Sequence, residues 1–222
     1  MLVITDYTVS HNLLQEAVEN LPVIDQRLAL NQPTGKFFNN PWTVKPEYSG
    51  TVWESLLDSL PKDKGEARLI KLEPGEAYPS HADIDDRWHL NLTGNHCYLI
   101  DLEQERMHPI ELGKWYSMDA GIKHTAANFG SETRIQLVVR KLLPLPDIHK
   151  PVDIVITLKE IVGDRRFIFD DIISPWLNRA YKLGIVDNFH GEDLVASFTV
   201  EADYVPELQT LVSDYFNLTI KN

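Results

Sequence analysis

Arg68-Leu-Ile-Lys-Leu72, Glu73-Pro-Gly-Glu76, Tyr78-Pro-Ser-His81-Ala-Asp83 and Arg87-Trp-His-Leu-Asn-Leu92 follow one another with almost nothing between them. The succession reads as strand, turn, a histidine-bearing segment, and strand. The next fifty residues repeat it. Cys97-Tyr-Leu-Ile-Asp101 is a strand, Glu111-Leu-Gly-Lys-Trp-Tyr116 a turn into another, then come Gly121-Ile-Lys-His124-Thr-Ala-Ala-Asn128 and Thr133-Arg-Ile-Gln-Leu-Val-Val139. Short β-rich runs at intervals of roughly ten residues, punctuated by Gly and Pro, argue a sandwich or jelly roll rather than a parallel sheet, and a mainly β double-stranded β-helix (jelly roll, cupin-like) core is the expected form. Such a core brings sequence-distant strands together at one mouth.

The residues gathered there carry chemistry. His81, Asp83 and His124 supply two imidazoles and one carboxylate, the set that holds one side of a non-heme Fe(II) centre and leaves other positions open. Arg134 adds a planar guanidinium fork suited to a carboxylate-bearing co-substrate. Together they suggest a 2-oxoglutarate oxygenase. The His-x-acid triplet alone says little, because a chain of 222 residues with 8 His and 33 Asp+Glu holds about one by chance. A second triplet, His190-Gly-Glu192, is the internal control: no His or Arg follows Glu192 to complete a site. Zinc accepts the same ligand types. Arg134 argues for the oxygenase, since a hydrolytic zinc site has no general need of such a cation. Asp85 and Asp86 read as a solvated loop that could alternatively receive a substrate amine, and Asn128 as a residue fixing the loop after His124.

Residues 68 to 140 resemble the aspartyl/asparaginyl β-hydroxylase family of Fe(II)/2-oxoglutarate oxygenases. The likeness rests on the Leu72-x-Pro74-Gly75 turn, the His81 triplet, Arg87-x-His89-Leu90, and Gly113-x-x-Tyr116 through His124-x-x-x-Asn128 to Arg134. It implies that His81 and His124 ligate iron and that Arg134 binds the distal carboxylate of 2-oxoglutarate. It also implies that Arg87 and His89 sit near the metal-chelating end, that O2 is the oxidant, and that an amino-acid side chain, free or in a peptide or protein, is hydroxylated. Asp83 completes a triad that the best-known animal members lack and that related bacterial amino-acid hydroxylases keep. The competing expectation is a catalytically silent jelly-roll metal-binding or interaction module.

Composition narrows the rest. With 21 Lys+Arg against 33 Asp+Glu the formal net charge is −12, which opposes nonspecific binding to phosphate backbones, so no nucleic acid is expected as partner. No apolar run approaches the roughly 20 residues of a membrane span, and Met1 to Asp6 lacks a basic leader region, so a cytoplasmic protein without a membrane partner is expected. A single cysteine, Cys97, excludes an intrachain disulfide and reads as a small buried hydrophobe. Ser10 is placed to cap a helix over His11 to Asn20, and Trp53, Leu56, Leu57 and Leu60 form a second helical stripe. Asn31 to Tyr48 reads as an irregular connection or an edge hairpin. The oxygenase domain with its N-terminal helices is expected over 1–148, and a small C-terminal α/β unit over 149–222. That unit reads as β-α-β-α: a strand from Val152 to Leu158, a helix opened by Ser174-Pro175 and closed by Gly184, a strand from Leu194 to Val200, and a stripe of Leu208, Leu211, Val212 and Tyr215. It is expected to cover the mouth or to make a homodimer contact.

Overall fold

Alternation sets the strands. In the computed structural model, which describes residues 2–159, 165–192 and 195–221, the first part of the chain forms β1 (Leu2–Thr8), α1 (His11–Glu19), β2 (Arg27–Ala29), β3 (Asn31–Pro33), β4 (Trp42–Val44), α2 (Val52–Asp58) and β5 (Lys64–Leu72). The next strands are β6 (Arg87–Asn91), β7 (Cys97–Asp101), β8 (Arg106–Pro109), β9 (Lys114–Met118), β10 (His124–Asn128) and β11 (Arg134–Lys141). Six strands make one sheet in the order β1-β9-β6-β11-β5-β2, and β10-β7-β8 make a second. A further short ladder follows the Pro74-Gly75 turn and pairs with β10. There Gly75 and Tyr78 amides donate to Asn128 and Ala126 carbonyls, and the Asn128 amide donates to Glu76. Gly75 has φ +81°, a conformation glycine adopts without strain. The fold is mainly β with a jelly-roll core.

Each face of the large sheet has its own covering. Trp88, Leu90, Leu137 and Val139 point one way and pack with Trp53, Leu56, Leu57 and Leu60 of the helical region. Ser10 caps α1 by accepting the Leu13 amide at 3.2 Å, and Thr51 caps α2 through Trp53. A buried leucine such as Leu56 contributes about 1.5–3 kcal/mol through apolar area removed from water. The other face meets the small sheet, where Tyr116 and Met118 pack with Leu99, Ile110 and Ala120. The pairing register places Arg87, His89 and Asn91 opposite Arg140, Val138 and Gln136, and His89 opposite Tyr116. The polar inner residues therefore face the barrel interior.

By internal contacts the chain divides into Met1–Ser80 with Asp85–Leu142, and Leu143–Asn222 with the short stretch His81–Ile84. The C-terminal unit contains β12 (Pro151–Leu158), α3 (Arg165–Lys182), β13 (Val186–Glu192), β14 (Val195–Glu201), α4 (Val205–Val212) and β15 (Phe216–Lys221). Its sheet order β13-β14-β12-β15, antiparallel at each step, makes a split βαββαβ unit rather than the expected β-α-β-α. The missed strands β13 and β15 are largely polar and exposed, so alternation marks them weakly. Pro175 was expected at the start of a helix and lies inside α3 instead, whereas Gly184, at φ +72°, does end it. Of the expected C-terminal stripe, Leu208 and Val212 are buried, while Leu211 and Tyr215 are exposed and α4 ends at Val212. Among the described residues no helix is long and apolar enough to cross a membrane.

Candidate active site

His81 leaves the short ladder and His124 opens β10, whose backbone that ladder pairs. His81, Asp83 and His124 bring one ligand atom each within 4.8 Å of one another, and no other group of three His, Cys, Asp or Glu does so among the described residues. His81 Nε2 lies 3.6 Å from Asp83 Oδ2. His124 is buried, and its Nδ1 donates to the Ile122 carbonyl at 2.8 Å. That hydrogen bond puts the proton on Nδ1 and the lone pair on Nε2, the form in which an imidazole ligates a metal. The control triplet behaves differently. His190 and Glu192 stand 3.8 Å apart on β13, with side chains 75% and 81% exposed and no third ligand among the described residues.

Arg134 begins β11 and is 1% exposed. Its Nε donates to Asn91 Oδ1 at 3.2 Å, and its Nη1 to the Tyr98 and Ala127 carbonyls at 3.1 and 3.2 Å. Its Nη2 is buried with no hydrogen-bond partner among the described residues. Burial pushes the guanidinium down to about 10, so it is still a cation at neutral pH. Gly94 lets the chain pass close by: its φ is +94°, and a Cβ there would lie 3.0 Å from Arg134 Cα.

His89 sits between these groups. Burial, first, and then the positive neighbours His124, Arg134 and Arg87 hold its imidazole well below the usual histidine range, so it is neutral. Gln136 is near enough to oppose that shift weakly, yet neither ring nitrogen of His89 makes a hydrogen bond of normal geometry. Asn91 Nδ2 and Gln136 Nε2 are likewise buried without an acceptor, although the Cys97 thiol lies beside Asn91. An unmet buried donor costs about 1–3 kcal/mol, so several in one place are expensive unless a ligand meets them.

Arg87 is on the same inner face, with its guanidinium directed at Asp85. Nη2 lies 3.0 Å from Asp85 Oδ1, and Nε donates to the Asp85 carbonyl. Asp85 also receives Arg140 Nη1 at 2.9 and 3.0 Å. Glu66 is shared by Arg140 and Arg68 at 3.0 and 3.1 Å. This corrects the solvated-loop expectation: Asp85 is 1% exposed and committed to two arginines, and Asp86 accepts the Ala120 amide. Sequence reading missed the network because Arg140 is 55 residues away. Strand register was the signal that could have found it, since Arg87 and Arg140 face each other. The connection after Asn31 is the β3–β4 hairpin, and its Phe37 and Phe38 stack under Arg140 at 4.9 and 5.8 Å. Asn128 fixes the following loop, donating to Leu72 and Glu132 carbonyls and accepting from Gly130.

Residues 44–144 match the family model described as Aspartyl/Asparaginyl beta-hydroxylase. That is the family the motifs resemble. The match spans every strand from β5 to β11, together with Asp83, His89, His124 and Arg134. No curated protein gives a significant match to the chain. Similar solved structures include a cupin domain from Bordetella pertussis Tohama I (11% identity, 54% of this chain and 98% of that one, TM-score 0.32). A predicted oxalate decarboxylase from Thermotoga maritima is 17% identical over 52% of this chain and 94% of that one, with TM-score 0.33. AerE from Microcystis aeruginosa is 10% identical over 86% and 95%, with TM-score 0.34.

Proposed function

We propose that this chain is an Fe(II)/2-oxoglutarate-dependent dioxygenase that hydroxylates an amino-acid side chain, free or in a peptide. Arg134 carries the reading. It is a buried cation with no carboxylate partner among the described residues and one guanidinium nitrogen unmet, and His89 lies near both it and His124. A structural metal site needs no such cation, whereas a dicarboxylate co-substrate does.

In this reading His81, Asp83 and His124 hold the metal, with His124 oriented by the Ile122 carbonyl. Arg134 offers Nη2 to the distal carboxylate of 2-oxoglutarate. His89 is neutral and adds no charge beside the metal-binding end, while Arg87, held by Asp85, adds a positive field there. Bound Fe(II) and 2-oxoglutarate supply the activation of O2 that places a hydroxyl on an unactivated C–H, with succinate and CO2 as co-products. The barrel wall and the covering helical layer keep water from the buried end.

The test is anaerobic Fe(II) titration followed by a succinate assay against amino-acid and peptide panels. Wild type and His190→Ala are expected to bind one Fe(II) and form succinate, and His124→Ala to lose both. Equal iron binding in the two variants, or no succinate formed from 2-oxoglutarate by the iron-loaded wild type with any substrate of the panels, defeats the proposal.

A further inference from the structure

Four polar groups on the inner face of β6 and β11 have hydrogen-bonding capacity unmet among the described residues: Arg134 Nη2, Asn91 Nδ2, Gln136 Nε2 and the His89 ring. Three of them are tied by geometry. Asn91 and Gln136 face each other across the β6–β11 pair, and Gln136 stands two residues from Arg134 on the same face of β11. The orientation of the Asn91 amide is set by Arg134, whose Nε donates to Oδ1, so Nδ2 is the donor end; it lies beside the Cys97 thiol without a hydrogen bond of normal geometry. Both amides are buried, Asn91 at 0% and Gln136 at 4% exposure.

We infer that Asn91 and Gln136 form a cross-strand pair of amide donors that binds the same ligand carboxylate as Arg134 Nη2. This rests on the proposed 2-oxoglutarate dependence and goes beyond it by assigning two further binding residues. A carboxylate offers about four lone-pair sites, enough for one guanidinium nitrogen and two amide nitrogens. A strand advances about 3.4 Å per residue, so Gln136 lies roughly 7 Å along β11 from Arg134. That is within reach of one carboxylate for a long amide side chain approaching from the next inward position. Neutral donors beside a single cation also explain why no second buried charge is needed there. They bind by geometry, so they select for the carboxylate without adding an ion that would stay uncompensated when the ligand leaves.

The experiment is calorimetric binding to the full chain loaded with Mn(II), a redox-silent stand-in. Two ligands are compared: 2-oxoglutarate, and 2-oxopentanoate, which keeps the chelating end and lacks the distal carboxylate. Gln136→Met keeps the side-chain length and loses the donor. It is expected to weaken 2-oxoglutarate about tenfold and to leave 2-oxopentanoate within about twofold. Arg134→Lys, run alongside, is expected to weaken 2-oxoglutarate as well. If Arg134→Lys weakens 2-oxoglutarate and Gln136→Met does not, or if Gln136→Met weakens both ligands equally, the amide pair is overturned while the oxygenase reading stands. If wild type binds neither ligand, the oxygenase reading itself fails. A circular-dichroism melt of each variant confirms that the comparison is between folded proteins.

Discussion

Replacing Arg134 with lysine keeps the charge and removes the fork, and the consequence can be worked from its contacts. Three of its hydrogen bonds go to the protein, from Nε to Asn91 and from Nη1 to the Tyr98 and Ala127 carbonyls, which leaves Nη2 for a ligand. Lysine has one nitrogen, so it either keeps the two carbonyls or turns to the ligand. Losing one charge-assisted hydrogen bond costs about 1.5–3 kcal/mol, which raises the dissociation constant roughly 10- to 100-fold. The readout is ligand-linked stability. With 2-oxoglutarate at about 100 times the wild-type dissociation constant, wild type gains about 2.7 kcal/mol. At the same concentration the variant gains only about 0.4–1.4 kcal/mol. Urea unfolding with and without 2-oxoglutarate, on metal-loaded protein, measures both gains. Equal gains in the two proteins, with normal metal binding, would refute the reasoning.

Two further outcomes follow from the buried charges. Asp85→Asn leaves Arg87 and Arg140 without their shared carboxylate, so the urea midpoint should fall by the equivalent of about 3–5 kcal/mol, and a loss below about 1 kcal/mol would contradict the buried network. The His89 imidazole is held below its ordinary value of 6.5, so the unfolded chain takes up a proton there before the native one does. The stability this contributes is present above about pH 6.5 and is lost as the pH falls through the lower native value. Metal-free wild type should therefore lose more stability between about pH 7.5 and 5.5 than His89→Gln does, and identical pH profiles would sink the assignment.

The site was legible where the signal was local and periodic. Arg87, His89 and Asn91 alternate on one face of a five-residue strand, and Arg134 opens another, so reading with a period of two puts them in one interior. Gln136 was open to the same logic. It lies in a run otherwise apolar from Ile135 to Val139, where a lone amide reads as incidental until its strand partner, Asn91, is known. Asp85 was misread because its neighbours in sequence are acidic, while the arginine that most distinguishes it comes from the far end of β11. β1 went unread because Leu2 to Thr8 is short and mixed, and only its pairing with β9 makes it a strand. The Ser174-Pro175 pair looked like a helix start because proline is at home there. The turns of α3 before it overrode that preference.

The pairing of β1 with β9 also bears on how the protein is made. Thr5 and the carbonyl it reaches on Trp115 are 110 residues apart. At synthesis rates of about 5–20 residues per second, β1 waits roughly 6–22 s for its partner to be made. During that interval Val3 and Ile4, still 48% and 61% exposed in the finished fold, sit on an unpaired edge. The first strand of this chain is therefore dependent on chaperone cover, and slower ribosomes or crowded expression should be felt there before they are felt at His81, Asp83 and His124.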